Sequence, residues 1–140
     1  MLIGEYSYSL DEKGRIAVPT RLRTALADGA VVTRGLDGCL FIYPRGEWEK
    51  LVAKLSTMPL SKEKARAFAR LMMAGAMEVA LDRQGRVVLP SYLREYAKLK
   101  KEIVITGVLD RLEIWDSKAW AEYKKKTDSE ASSIAEVLEI

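Results

Sequence analysis

Polar and apolar residues alternate along Glu5–Leu10, with Tyr6, Tyr8 and Leu10 on one side and Glu5, Ser7 and Ser9 on the other. A period of two predicts a β-strand with one covered face. A turn over Asp11–Gly14 follows, where Gly14 can supply the positive φ of a hairpin loop, then a second strand over Arg15–Val18. Pro19 stops that strand and opens a short helix over Thr20–Ala27. The apolar stretch Val31–Tyr43, broken at Asp37-Gly38, predicts a second hairpin, and a helix over Glu47–Leu55 closes the series.

The same series then starts again. Leu10-Asp11-Glu12-Lys13-Gly14-Arg15-Ile16-Ala17-Val18-Pro19 returns, 71 positions later, as Leu81-Asp82-Arg83-Gln84-Gly85-Arg86-Val87-Val88-Leu89-Pro90. Leu22-Arg23 and Leu93-Arg94 keep that offset. The second copy predicts strands over Glu78–Leu81 and Arg86–Leu89, a short helix over Ser91–Leu99, a hairpin over Ile103–Trp115 turning at Asp110-Arg111, and a helix over Ser117–Lys126. A half of about 50 residues buries little surface alone. The expectation is therefore one compact domain over residues 1–140, with repeats at 5–55 and 78–126 sharing a barrel-like core, a linker helix within 56–77 and a tail over 127–140.

In the linker, Ser61 is a candidate N-cap, Phe68, Leu71 and Met72 recur at helical spacing, and Gly75 is a candidate stop. Lys62, Arg66 and Arg70 share another face, which reads either as solvated surface or as a stripe touching a polyanion. The tail places Ile134, Val137 and Leu138 at helical spacing, suiting a short helix that docks on a neighbour or frays.

Composition narrows the function. Lys and Arg total 23 against 20 for Asp and Glu, a surplus too small to identify a polyanion partner by itself. There is no histidine, which removes the commonest general base and the commonest transition-metal ligand. The single cysteine, Cys39, lies in an apolar run and reads as a small core residue rather than a redox group. No cofactor or metal site and no small-molecule substrate is expected, and no apolar stretch approaches membrane-spanning length. The balance falls toward a non-enzymatic binding module of the cytoplasm. The aromatics Tyr6, Tyr8, Tyr43, Trp48, Trp115 and Trp120 read as core or subunit interface rather than base-stacking platforms.

The duplicated Asp-x-x-Gly-Arg turn, followed by a strand and Pro, together with Gly4 and Tyr6 ahead of the first copy, resembles the MraZ family, a branch of the AbrB-like swapped-hairpin DNA-binding proteins. The resemblance covers about residues 1–125. It implies a mainly β, α+β fold: a double-split β-barrel built from two pseudo-symmetric βαββα repeats. It implies ring-shaped homo-oligomers that associate with the nucleoid. It also implies binding to direct repeats in double-stranded DNA upstream of the division and cell-wall gene cluster, usually as a repressor. The DNA-contacting turns map onto Asp11 and Arg15 and onto Asp82 and Arg86, with the intervening residues differing between copies.

The chemistry suits that implication. Arg presents a planar fork of donors matched to phosphate or to guanine O6 and N7. Asp four residues earlier can accept the turn's backbone N–H groups or hold the guanidinium. Lys13 and Arg83 each add a phosphate contact, and a two-stranded ribbon is narrow enough for a major groove. The plainer alternative is that both Asp–Arg pairs are ion pairs that only shape their turns. Arg21, Arg23 and Arg94 flank the short helices and read as solvated or interfacial, with phosphate contact as the lesser option. Two other functions stay open: a protein-interaction or antitoxin-type module on the same fold, and an enzyme with an unrecognised carboxylate site.

Overall fold

A computed structural model describes residues 1–140. In chain order the strands are β1 (Leu2–Ser9), β2 (Arg15–Ala17), β3 (Ala30–Arg34), β4 (Leu40–Pro44), β5 (Met77–Val79), β6 (Arg86–Val88), β7 (Glu102–Leu109) and β8 (Arg111–Asp116). The helices are α1 (Arg45–Ser56), α2 (Glu63–Ala74), α3 (Ser91–Tyr96) and α4 (Ser117–Val137). Where repeat 2 carries α3, repeat 1 has two short 3-10 turns, Thr20–Leu22 and Thr24–Leu26.

The fold is mainly β with short helices. Six strands form one antiparallel sheet in the order β1-β7-β8-β4-β3-β5, and β2 pairs with β6 in a separate two-stranded ribbon. The sheet does not close on itself: β1 and β5 remain its edges, and the ribbon shares no ladder with it. The strands on either side of each Asp-x-x-Gly-Arg turn are therefore not partners, as a local hairpin would make them. Instead β1 crosses to repeat 2, from Leu2 opposite Leu109 to Ser9 opposite Glu102. β5 crosses to repeat 1, with Ala30 opposite Val79. Across each turn the Asp N–H still bonds the Arg carbonyl, Asp11 N–H to Arg15 C=O at 3.1 Å and Asp82 N–H to Arg86 C=O at 2.9 Å.

This exchange puts apolar residues of both copies into one core. Ile16, Val18, Leu22, Val32, Leu40 and Ile42 pack in a single cluster with Val87, Leu89, Leu93, Ile103, Ile105, Leu112 and Ile114. The ribbon lies over it through Ile16 and Val87, each 1% exposed; burying side chains of this size contributes about 1.5–3 kcal/mol apiece. On the sheet's other face Cys39, Phe41, Tyr43 and Trp115 are buried with Leu55 of α1 and Met72 of α2, and Trp48 and Trp120 pack against them. Tyr6 and Tyr8 pack on the shared core. Cys39 is fully buried, and its thiol is pushed up to about 12 by loss of solvent, a state in which it stays protonated and unreactive.

Several element boundaries move. The tail does not form a separate short helix: it continues from the second closing helix as one 21-residue helix, α4, capped by the Asp116 carboxylate, which accepts from the Ala119 N–H. Nothing between Lys126 and Thr127 interrupts helical geometry, because no Gly or Pro stands there. Ser61 does not cap α2. The Lys62 N–H bonds Pro59 C=O, and this turn delays the helix so that Lys62 becomes the N-cap, without a side-chain cap. Gly75 is the C-cap. The Lys62/Arg66/Arg70 stripe is not uniform, since Arg66 folds back to donate to Leu60 C=O.

Candidate nucleic-acid interface

The ribbon joins the two copies around a pseudo-twofold axis. Ile16 stands opposite Val87, Arg15 opposite Val88 and Ala17 opposite Arg86. Two further bonds extend the pairing symmetrically, Val18 N–H to Gly85 C=O at 2.9 Å and Leu89 N–H to Gly14 C=O at 2.8 Å. Ile16 and Val87 face the core, so alternation turns Arg15, Ala17, Arg86 and Val88 to the opposite face. Arg15 and Arg86 are diagonal neighbours on that face, a relation that spaces residues by roughly 7–8 Å.

One Asx turn presents each arginine. Asp11 Oδ1 accepts the Lys13 and Arg15 N–H groups at 2.9 and 2.8 Å, while Oδ2 accepts Arg15 Nε at 2.6 Å. Asp82 repeats this: Oδ1 takes the Gln84 and Arg86 N–H groups at 2.8 and 2.9 Å, and Oδ2 takes Arg86 Nε at 3.0 Å. One carboxylate thus does both things the sequence allowed, closing the turn and holding the guanidinium. The N–H donated by the following arginine, more than any other contact, lowers the pKa of Asp11 and of Asp82 below the usual aspartate value. Each arginine donates only Nε, so both terminal amino groups are left without a protein acceptor. Each arginine side chain is 29% exposed.

The glycines close the turns. Gly14 and Gly85 have φ of 78° and 75°, the left-handed region, and Gly14 and Gly85 N–H bond the Asp11 and Asp82 carbonyls at 3.0 Å. Both glycines are buried beneath an arginine of the other repeat. A Cβ on Gly14 would lie 3.0 Å from Arg94 Cζ, and one on Gly85 would collide with the Arg23 guanidinium. Arg23 donates Nε to Val18 C=O at 2.8 Å and Arg94 donates Nε to Leu89 C=O at 3.1 Å.

The structure thus brings Asp11, Arg15, Asp82 and Arg86 to one ribbon, with Lys13 and Arg83 exposed on the turns. Arg23 and Arg94, treated in the sequence as residues flanking the short helices, belong to the same surface. The shared offset of Leu22-Arg23 and Leu93-Arg94 was the available signal. Arg21 is exposed and has no part in the turns.

The model of the family described as "MraZ protein, putative antitoxin-like" matches the chain twice, over residues 1–71 and 72–138. A protein of Caldanaerobacter subterraneus subsp. tengcongensis named Transcriptional regulator MraZ is 47% identical over 139 residues, covering 99% of this chain and 97% of that one. A protein of the same name in Natranaerobius thermophilus is 49% identical over 138 residues, covering 99% and 96%. The family matches fall on the two halves that exchange β1 and β5 and meet at the ribbon, and on both grounds the chain belongs to the MraZ family.

Proposed function

We propose that this chain is a sequence-specific DNA-binding transcriptional regulator, acting without enzymatic chemistry, that reads double-stranded DNA through the outward face of the β2–β6 ribbon. The observation that carries the reading is the pair Arg15 and Arg86: diagonal on one face, each clamped by an aspartate through Nε, each with both terminal amino groups free to donate. Their spacing of roughly 7–8 Å is about two base-pair rises of ~3.4 Å, so one groove can receive both. Asp11 and Asp82 orient the arginines, and Lys13 and Arg83 reach the flanking phosphates. The names of the relatives support regulation of transcription as the use of this surface.

The finer reading is that the protein is a repressor of the division and cell-wall gene cluster, held at the nucleoid, and binds upstream direct repeats as a ring of copies. One ribbon makes few contacts. A ring offering several ribbons to repeated sites raises affinity through effective concentration, which is why repeats and ring belong together. The chain functions as one unit in this reading, because neither repeat holds a complete ribbon.

Fluorescence anisotropy with the DNA upstream of this protein's own gene, against a shuffled duplex, tests the reading. The parent is expected to prefer the upstream DNA and the Arg15→Ala/Arg86→Ala variant to lose that preference. Equal weak binding to both duplexes would sink it. A second reading, a protein-interaction or antitoxin-type module, draws on the C-terminal end of α4, where Val137 and the C-cap residue Leu138 are 81% and 62% exposed. Co-purification of a tightly bound second protein that covers α4 would favour it.

A further inference from the structure

The geometry points to composite DNA half-sites, each made from the turn of one repeat and the arginine that follows the short helix of the other: Arg15 acts with Arg94, and Arg86 acts with Arg23. The inference rests on the DNA-binding reading above and goes beyond it in adding two contact residues and in stating which residues work together.

Four observations converge. First, Arg23 and Arg94 are held as Arg15 and Arg86 are: Nε is tied to an acceptor inside the chain, here a backbone carbonyl, and both terminal amino groups have no acceptor. Second, neither has a carboxylate partner, in contrast to Arg15 and Arg86. Third, each guanidinium lies directly on the glycine that precedes the other repeat's turn arginine, and this is what buries Gly14 and Gly85. Fourth, the arrangement gathers like charge. Lys13, Arg15 and Arg94 meet at one turn against Asp11 and Glu12, while Arg83, Arg86 and Arg23 meet at the other against Asp82 alone. The cations exceed the anions by one at the first turn and by two at the second, and an incoming polyanion relieves the repulsion of that excess.

The division of labour follows from position. Arg15 and Arg86 stand on the ribbon's outward face, where base edges are within reach. Arg23 and Arg94 lie beside the turns, where the strand backbone would pass, so their partners are phosphates. Removing one phosphate contact weakens binding without regard to sequence and reduces the slope of log K against log salt by about 0.9 per contact.

The test is a set of anisotropy titrations against the upstream and shuffled duplexes across a salt series, for the parent, the single variants Arg15→Ala, Arg23→Ala, Arg86→Ala and Arg94→Ala, and four double variants. Arg23→Ala and Arg94→Ala are each expected to weaken binding to both duplexes by about tenfold, as for a hydrogen bond to a charged group, and to flatten the salt slope. Arg15/Arg94 and Arg86/Arg23 should be coupled, their combined loss departing at least about threefold from the product of the single losses, whereas Arg15/Arg23 and Arg86/Arg94 should multiply. Thermal unfolding of every variant separates binding from folding. Arg23→Lys gives a second check, keeping the salt slope while failing to restore full affinity, since Lys cannot hold Val18 C=O and still present a planar fork. Parent-like affinity and salt slope in Arg23→Ala and Arg94→Ala, with upstream DNA still preferred, would overturn the composite half-sites alone. Coupling confined to residues of the same repeat would overturn them equally. A parent without preference for upstream DNA would bring down the underlying reading and this inference with it.

Discussion

The turn at Asp11–Arg15 and the turn at Asp82–Arg86 have nearly the same hydrogen bonds and different charge. Corresponding bonds agree within a few tenths of an ångström, and the clamped arginines have equal exposure. The two residues between Asp and Gly have side chains with no part in the turn, and these differ: Glu12-Lys13 sums to zero, Arg83-Gln84 to a single positive charge. Asp, Gly and Arg are set by the turn's construction, since one accepts the N–H groups, one adopts positive φ and one is clamped. The positions between them face solvent and are free to vary. The pseudo-dyad therefore preserves shape while letting the two ends of the ribbon acquire different affinities.

The largest effect expected is on binding. Arg15→Ala/Arg86→Ala should lose about a hundredfold or more in affinity for the upstream DNA, from two contacts of roughly 1–3 kcal/mol each, with Tm nearly unchanged. A drop in Tm together with parent-like binding would make both pairs structural. The singles sharpen the comparison: Arg86→Ala should cost more than Arg15→Ala, about tenfold or above, because its turn has the higher positive potential. Equal losses in the same titration would remove the asymmetry.

Backbone variants come next. Gly85→Ala and Gly14→Ala should both destabilise: the new Cβ displaces the Arg23 guanidinium at Gly85, and at Gly14 it crowds both Arg94 and the Leu89 carbonyl. Positive φ alone costs about 1–2 kcal/mol at either site, read as a fall in Tm. Smaller still is the charge of the flanks. Glu12→Gln should tighten and Arg83→Gln loosen binding by about threefold at low salt, both effects fading as the Debye length shortens. Persistence of either effect at high salt would mean a direct base contact rather than potential.

The smallest effect is in acid. Asp11 and Asp82 have pKa values below the ordinary aspartate value of 3.8 in the fold, so the unfolded state binds more protons across that window. Their contribution to stability is present above 3.8 and lost as pH falls through the lower folded values. The Tm difference between the parent and Asp11→Asn/Asp82→Asn should hold near neutrality and narrow below pH 3.8. A difference independent of pH would assign the effect to shape rather than charge.

Much of this surface was legible in the sequence because it is local. Alternation over Glu5–Leu10, the recurring turn and Pro19/Pro90 each act within a few residues. What alternation does not encode is the partner. A three-residue strand such as Arg15–Ala17 shows which face is buried, but the choice between β1 and β6 depends on residues as distant as Arg86–Val88. For the same reason Arg23 and Arg94 looked like helix-flanking charges: the turns they cover lie in the opposite repeat. The continuous α4 was missed because a polar segment without a stop residue reads equally well as tail or helix.

The exchange of β1 also governs how the chain comes into being. Leu2–Ser9 leaves the ribosome well before its partner, Glu102–Leu109. Until then an eight-residue strand with Tyr6, Tyr8 and unpaired backbone groups has nothing of its own to pair with. β1 therefore waits until β7 has been made, and in that interval it is open to the still unfilled β7 edge of another incomplete copy.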